Sequence, residues 1–439
     1  MSGLSAATGP SGRNVAASRG LQAMWTHKRV LAASLVGTAV EFYDFYVYAT
    51  AASLVFGPLF FPGESPSVQL LASYASFAVA FFARPLGATV FGHYGDRIGR
   101  KSTLVVSLMM MGGSTLAIAF LPTYALIGWW APLLLCLMRF GQGFGLGGEW
   151  GGAALLAVEN APHGWRARFG MFPQLGAPVG FIFANGLFLL LGQVLTEAQF
   201  MAWGWRLPFL ASAILVGLGL WIRLKLTETP EFAETLTHGE TASLPMVEVL
   251  RHHAGPAIAG TFATVACFAI FYITTAFALG YGTVNLGMDR TGFLMLQLGA
   301  IIFMALGIAL SGWWADKRSS RTVLIAGCLA TIPVGAAFGT MLGTGSGLPI
   351  FIALSAGLFV MGFVYGPLGA WLPSLFPTRL RYSGVSLAFN VGGILGGAAA
   401  PIVAQGLVSL YGVALSGLYM SAAAAISLIA LWFGNPHRR

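Results

Sequence analysis

Gly92-His-Tyr-Gly95-Asp96-Arg97-Ile-Gly99-Arg100-Lys101 separates two long apolar runs, and its reading decides the fold. Its glycines permit a tight turn. Its cations suit the cytoplasmic face of a bilayer, where anionic headgroups attract Lys and Arg. Asp96 is placed to pair with an Arg or with a helix N-terminus. The runs on either side, Val68–Phe91 and Ser102–Leu121, each hold the roughly 20 largely apolar residues that a membrane-crossing helix needs.

The same pattern continues in both directions. Of 439 residues, 57% are hydrophobic and only 8% charged, with a mean hydropathy of +0.78. Soluble domains carry roughly 25% charged residues, so a water-facing fold is excluded. In lipid the backbone must satisfy its own hydrogen bonds, which leaves helices or closed barrels. The runs are continuous and lack the two-residue alternation of a barrel. Further spans are expected at Arg29–Phe56, Trp129–Val158, Phe169–Leu191, Trp203–Arg223, Ala254–Leu279, Thr291–Trp314, Thr322–Met341, Pro349–Leu375, Ser383–Val408 and Ala414–Phe433. The fold class is thus an all-α membrane protein of twelve transmembrane helices in two six-helix bundles.

The net charge of +9 does not require nucleic acid, and none is expected as a partner, because Lys and Arg gather in cytoplasmic loops of membrane proteins. With both termini cytoplasmic, all but four of the 23 basic residues fall inside; Arg206 and Arg290 lie outside, and Arg84 and Arg139 lie within spans. Residues 1–28 form a cytoplasmic tail without the apolar core of a signal peptide. Residues 29–224 form one bundle, 225–253 a cytoplasmic loop, 254–434 the second bundle, and 435–439 a short cytoplasmic tail. The long polar loop divides the chain as secondary transporters are divided, with a site expected near the midplane between halves. Cys136, Cys267 and Cys328 lie in apolar segments without disulfide or metal spacing. No metal and no cofactor are expected. The chain is expected to work as a monomer in the lipid bilayer.

Five ionisable residues remain within spans: Glu41 and Asp44 in the first, Arg84 in the second, Arg139 and Glu149 in the fourth. A charge at the centre of a membrane helix costs about 2.5–3.5 kcal/mol on insertion scales, so five call for a reason. Glu41 and Asp44 are three apart and share a helix face, as do Arg139 and Gln142. A carboxylate beside a guanidinium is held ionised, and protonating it frees the Arg for an anion. A static ion pair that only fixes helix register is the structural alternative. Glu149 can relay protons or close a gate against Arg84.

Gly143-Phe-Gly145-Leu-Gly147-Gly148 matches the dinucleotide pattern GxGxxG, but it sits within an apolar helix and does not follow a strand. Close helix approach explains it better, as it does for Gly392, Gly393, Gly396 and Gly397. No catalytic motif appears, and the chain is not expected to be an enzyme.

The opening loop resembles the signature of the major facilitator superfamily. More narrowly, Val40-Glu-Phe-Tyr-Asp-Phe45, Arg84-Pro-Leu-Gly87, Arg139-Phe-Gly-Gln-Gly143, Gly147-Gly-Glu-Trp-Gly151, Trp203-Gly-Trp-Arg-Leu-Pro208 and Glu228-Thr-Pro230 resemble the metabolite–proton symporters, which include shikimate, dicarboxylate and osmolyte carriers. The resemblance implies alternating access by two rocking bundles, driven by the proton gradient, in a bacterial inner membrane. It implies that Asp44 and Arg139 form the proton-coupling pair, to which the intramembrane charges add Glu41 and Glu149 as candidates, and it puts Gln174 at a substrate-contact position. Gly92, Asp96, Arg97, Gly99 and Arg100 would form a cytoplasmic gate with Glu159 and Arg166. Gln142, Tyr272, Gln297, Tyr365 and Asn390 are candidate substrate contacts alongside Arg139, or helix-packing hydrogen bonders. Two departures stand out. The equivalent second-half loop, Gly312-Trp-Trp-Ala-Asp316-Lys-Arg-Ser-Ser-Arg321, lacks the later glycine, and Leu375 stands where relatives carry Glu. The second half of the gate is therefore left unassigned. The expected function is proton-coupled symport of a small polar or anionic metabolite such as an organic acid. Uptake of a zwitterionic osmolyte such as proline or betaine, or drug-type efflux by antiport, are the alternatives.

Overall fold

A computed structural model describes residues 22, 24–63, 65–98, 100–147, 149–225 and 245–434. Side chains at 92–104, 149, 156, 222–225, 245 and 379 lie outside the described residues. The spans are α1 (Lys28–Leu54), α2 (Pro66–Ile98), α3 (Arg100–Ile118), α4 (Trp130–Leu146, continued by Glu149–Glu159), α5 (Arg166–Val194) and α6 (Leu207–Lys225). The second half supplies α7 (Ala254–Asn285), α8 (Arg290–Lys317), α9 (Ser320–Leu342), α10 (Gly347–Leu375), α11 (Arg381–Tyr411) and α12 (Ala414–Phe433). Ten of the helical segments are long and apolar enough to cross a membrane unaided. The other two spans are α3, whose apolar part is Val105–Ile118, and the two-piece α4.

Each half builds its own bundle. In the first, α1 packs along α5, α2 along α4, and α3 against α4 and α6. In the second, α8 packs along α10, α9 along α12 and α10, and α7 against α11 and α12. The bundles meet mainly where α5 faces α8, α2 faces α11 and α1 faces α7. An even number of spans puts both chain ends on one face, here termed the terminus face; the opposite face carries the start of α2 and the end of α1.

Small residues permit this packing. A Cβ at Gly143 or Gly147 of α4 would collide with the backbone of α2 at Ala80 or Arg84, and one at Gly145 would meet α3 at Ser107. The GxGxxG stretch thus serves helix approach, as its position within the membrane required. Gly392 and Gly396 do the same for α11 against Thr264 and Val265 of α7.

Three details depart from the sequence reading. The fourth span departs from a regular α-helical ladder at Gly147, whose N–H reaches the Phe144 carbonyl three residues back, and residue 148 beyond it lies outside the described residues. The seventh span runs on to Asn285 through two π-helical turns, Ile273–Phe277 and Tyr281–Asn285. The segment assigned wholly to a loop contains a helix, Pro245–His252.

Gly143→Val is expected to lower the detergent-solubilised unfolding temperature, since overpacking typically costs about 1–3 kcal/mol. Gly113→Ala should not, because nothing lies within 4 Å of its Cβ position. Parallel thermal melts of the two variants check the close-approach account.

Candidate functional site

Four of the five expected intramembrane charges turn inward; the side chain of the fifth, Glu149, lies outside the described residues. Relative exposures are 6% for Glu41, 1% for Asp44, 4% for Arg84 and 0% for Arg139. None of the four is a lipid-facing side chain. α1 presents Glu41, Asp44, Phe45 and Tyr48 to the bundle interior, all within the buried stretch from Thr38 to Ser53.

A hydrogen-bond chain links Asp44 to Arg139. Arg139 Nη1 donates to Gln142 Oε1 (3.0 Å), and Gln142 Nε2 donates to Thr115 Oγ1 (2.7 Å). Thr115 Oγ1 lies 3.1 Å from Asp44 Oδ2 and 3.0 Å from the Met111 carbonyl. A threonine hydroxyl has one proton and can accept two bonds. While Asp44 is ionised, that proton points to its carboxylate. Once Asp44 is protonated, its own O–H can donate to Thr115, whose proton then turns to Met111. The link therefore survives protonation with its direction reversed. The coupling pair expected from sequence is bridged by two side chains, and α3, where no site residue was foreseen, supplies one of them.

Aromatic rings wrap the guanidinium. The Arg139 carbon sits 4.0 Å from the Phe45 centroid, 4.1 Å from Tyr48 and 4.7 Å from Phe77, while Nε donates to the Phe77 carbonyl (3.3 Å). Arg84 lies over Phe45 (4.3 Å) and Phe81 (4.6 Å). Tyr272 of α7 closes this cluster from the other bundle, its ring 5.2 Å from Phe77 and 5.5 Å from Phe81.

The remaining candidates lie along the seam between bundles. Trp150 Nε1 is within bonding distance of both Gln174 Oε1 (3.1 Å) and Tyr365 Oη (3.2 Å), and Gln174 Nε2 donates to the Tyr365 carbonyl (3.2 Å). Asn390 Nδ2 donates to the Gly147 carbonyl (2.8 Å), and Trp150 stacks on Phe389 with centroids 3.6 Å apart. Gln297 instead donates to the Thr274 and Thr275 carbonyls of the π turn (3.2 and 2.9 Å). Among these contacts, Gln174, Tyr365 and Asn390 join the two bundles, whereas Gln297 holds α8 to α7 within one.

Both faces of the seam are shut. On the terminus face, Asp316 accepts from the Ala167 and Arg168 N–H groups (2.8 and 3.1 Å) and pairs with Arg168 Nε (3.3 Å). Glu159 meets Arg381 there at 3.4 Å. The second-half contribution left unassigned from sequence is thus Asp316 and Arg381. Arg168 takes the ion pair with Asp316; Arg166, expected beside Asp96, Arg97 and Glu159, is exposed, and the Asp96 and Arg97 side chains that it was expected to meet lie outside the described residues. The side chains of Asp96, Arg97 and Arg100, like that of Glu149, and all of Gly99, lie outside the described residues; at Gly92 only the backbone, within α2, is described. On the opposite face, Ser53 Oγ and Tyr74 Oη both donate to the Ala276 carbonyl (3.0 and 2.8 Å), and Arg290 pairs with Glu197 (3.0 Å). A cavity of about 10 Å³ remains between Tyr46, Thr50, Phe181, Thr275 and Gln297, enough for roughly one water.

Comparison with known proteins agrees with this architecture. The "Sugar (and other) transporter" family model matches residues 30–244. The chain is 49% identical over 411 residues to the inner membrane metabolite transport protein YhjE of Escherichia coli, covering 92% of this chain and 93% of that protein. This chain belongs to the major facilitator superfamily. As a major facilitator of this group it is a multi-pass membrane transporter of metabolites and not an enzyme. It is 38% identical to the shikimate transporter of Escherichia coli, over 88% of each chain. The proton:xylose symporter XylE bound to 6-bromo-6-deoxy-D-glucose has the same fold, with a TM-score of 0.74 at 17% identity over 92% of this chain and 94% of that one.

Sequence reasoning missed Thr115, Trp150, Phe45 and Asp316 as site members. A buried Thr or Trp in an apolar helix carries no signal by itself; only its neighbours across helices give it a role. Thr115→Val preserves shape and removes the bridge, so the pH dependence of transport should shift relative to wild type, whereas Thr115→Ser should preserve it. Initial uptake rates measured across external pH in the three proteins check this.

Proposed function

We propose that this transporter carries a small organic acid into the cell together with protons, by alternating access of its two bundles. The observation that carries the reading is the buried hydrogen-bond chain from Asp44 through Thr115 and Gln142 to Arg139. Asp44 is the proton acceptor and Arg139 the anion-binding group. Protonation removes a negative charge near Arg139, whose guanidinium then attracts a substrate carboxylate more strongly. Glu41 and Glu149 complete the proposed proton path.

Alternating access then means breaking one closed face at a time. Gln174, Tyr365 and Asn390 would exchange their bonds across the seam for substrate contacts as the terminus face opens, with Tyr272 above them; Gln297 lines the small cavity beside the opposite closure. Asp316, Arg168, Glu159 and Arg381, with the loop of Asp96 and Arg97, form the gate on that face. The concentration of Lys and Arg on it supports a cytoplasmic location for both termini, and the name of the YhjE relative supports the inner membrane. No cofactor is needed, since a proton moving through 100 mV provides about 2.3 kcal/mol, roughly forty-fold accumulation of a neutral co-substrate. A monoanion moving with one proton gains nothing from voltage and depends on the pH gradient alone.

Purified protein in liposomes, given shikimate and related acids with an acid exterior, should accumulate substrate uphill. Asp44→Asn should abolish accumulation while leaving exchange of labelled for unlabelled substrate. Uphill uptake persisting in Asp44→Asn would end the coupling assignment.

A further inference from the structure

Arg84 has no part in the coupling chain, yet it is buried beside it. Its Nε atom has no hydrogen-bond partner among the described residues, and neither has Nη2 of Arg139. Both guanidiniums lie over one ring, at 4.3 and 4.0 Å from the Phe45 centroid, so their carbons can be no more than about 8 Å apart. The ion pairs among the described residues are Arg168–Asp316, Arg290–Glu197 and Arg381–Glu159, and neither Arg84 nor Arg139 enters one. Glu41 lies within electrostatic reach of Arg84, and Asp44 is bonded through two side chains to Arg139.

Two like charges this close, walled by phenyl rings and away from water, repel with little screening. The rings compensate only in part, because cation–π attraction is weaker than a desolvated ion pair. Ionised Glu41 and Asp44 balance the two cations; once both acids are protonated the arrangement lacks counter-charge. Planar guanidinium forks with unused N–H donors match carboxylates in geometry, each able to take two parallel bonds. Arg84 comes from α2 and Arg139 from α4, both in the bundle lined by Glu41 and Asp44. When those two acids are protonated, the site holds two positive charges to be met by the substrate.

We propose that Arg84 and Arg139, set about Phe45, form a two-guanidinium clamp that selects substrates bearing two carboxylates over those bearing one and over zwitterions. This rests on the organic-acid reading given above and assigns its charge class. Arg84 acts as the selecting group for the second carboxylate.

The test needs no proton gradient. Ligand-induced thermal shifts, followed by exchange in liposomes at equal pH on both sides, are measured for malonate, succinate and glutarate. Each is compared with its own monoamide, nearly the same shape with one charge fewer, and with shikimate, inorganic phosphate and glycine betaine. At least one dicarboxylate should bind tenfold or more tightly than its monoamide. Arg84→Gln should reduce that ratio to about twofold or less while monoamide binding persists through Arg139. Arg84→Lys, which keeps the charge and loses the fork, should fall between the two. The clamp is overturned if wild type does not prefer any dicarboxylate over its monoamide, if it prefers shikimate, phosphate or betaine to every dicarboxylate, or if Arg84→Gln keeps the wild-type ratio. Should Arg84→Gln fail to fold, the wild-type ratios and Arg84→Lys still decide. Because exchange at equal pH is independent of coupling, failure here leaves the Asp44 assignment standing, and failure of Asp44→Asn to uncouple leaves the charge preference standing.

Discussion

An uncompensated charge inside a bilayer is expensive, and the interior of the first bundle is organised around that constraint. Arg139 and Arg84 share the Phe45 ring, and Arg139 donates from Nη1 to Gln142 and from Nε to the Phe77 carbonyl. Asp44 is reached through Thr115, a hydroxyl that can bond a carboxylate in either protonation state. A direct ion pair would tie proton affinity to a single contact. In the proposed coupling a bridged pair keeps the helices in register when Asp44 takes a proton, since only the Thr115–Asp44 bond reverses while those from Arg139 to Gln142 and from Gln142 to Thr115 persist. Charge is thereby free to change in a place where position is not.

The second constraint concerns backbone groups. Within lipid every carbonyl needs a donor, and the π-helical turn of α7, Ile273–Phe277, offers its carbonyls to side chains as well as to the backbone. Gln297 takes up two of them from within its own bundle, while Ser53 and Tyr74 reach a third from the other. The irregular turn thus becomes a latch across the seam. On the terminus face the closing contacts are of another kind: Asp316 caps the start of α5, and Trp150 lies flat on Phe389. The opposite face is held by hydroxyl-to-carbonyl bonds and the solvent-exposed Arg290–Glu197 pair, the terminus face by Asp316 capping, ion pairs and stacking.

Glycine determines how tightly these parts fit. Gly143, Gly145 and Gly147 let α4 lie against α2 and α3 at backbone contact, which brings Arg139 and Arg84 to the same ring. Larger residues there would separate the helices and move the two guanidiniums apart. The turn at Gly147 also leaves a carbonyl for Asn390 to bond, so the interruption in α4 is used by the seam.

Helix number, the bundle architecture and the inward burial of Glu41, Asp44, Arg84 and Arg139 were legible in the chain alone. The solvent enforces them: apolar runs of spanning length must be helices in lipid, and charges within them must turn away from it. The loop from Gly92 to Lys101 and the stretch from Val40 to Phe45 pointed to the family for the same reason, since charged strings at set places in such helices are rarely tolerated without use. The partners were not legible. That Thr115 and Gln142 stand between Asp44 and Arg139, that Arg168 meets Asp316, and that Phe45 serves two arginines depend on rotations and crossings of helices far apart in sequence. Those are decided by side-chain packing between helices, and no spacing along one helix records which residue of another will face it.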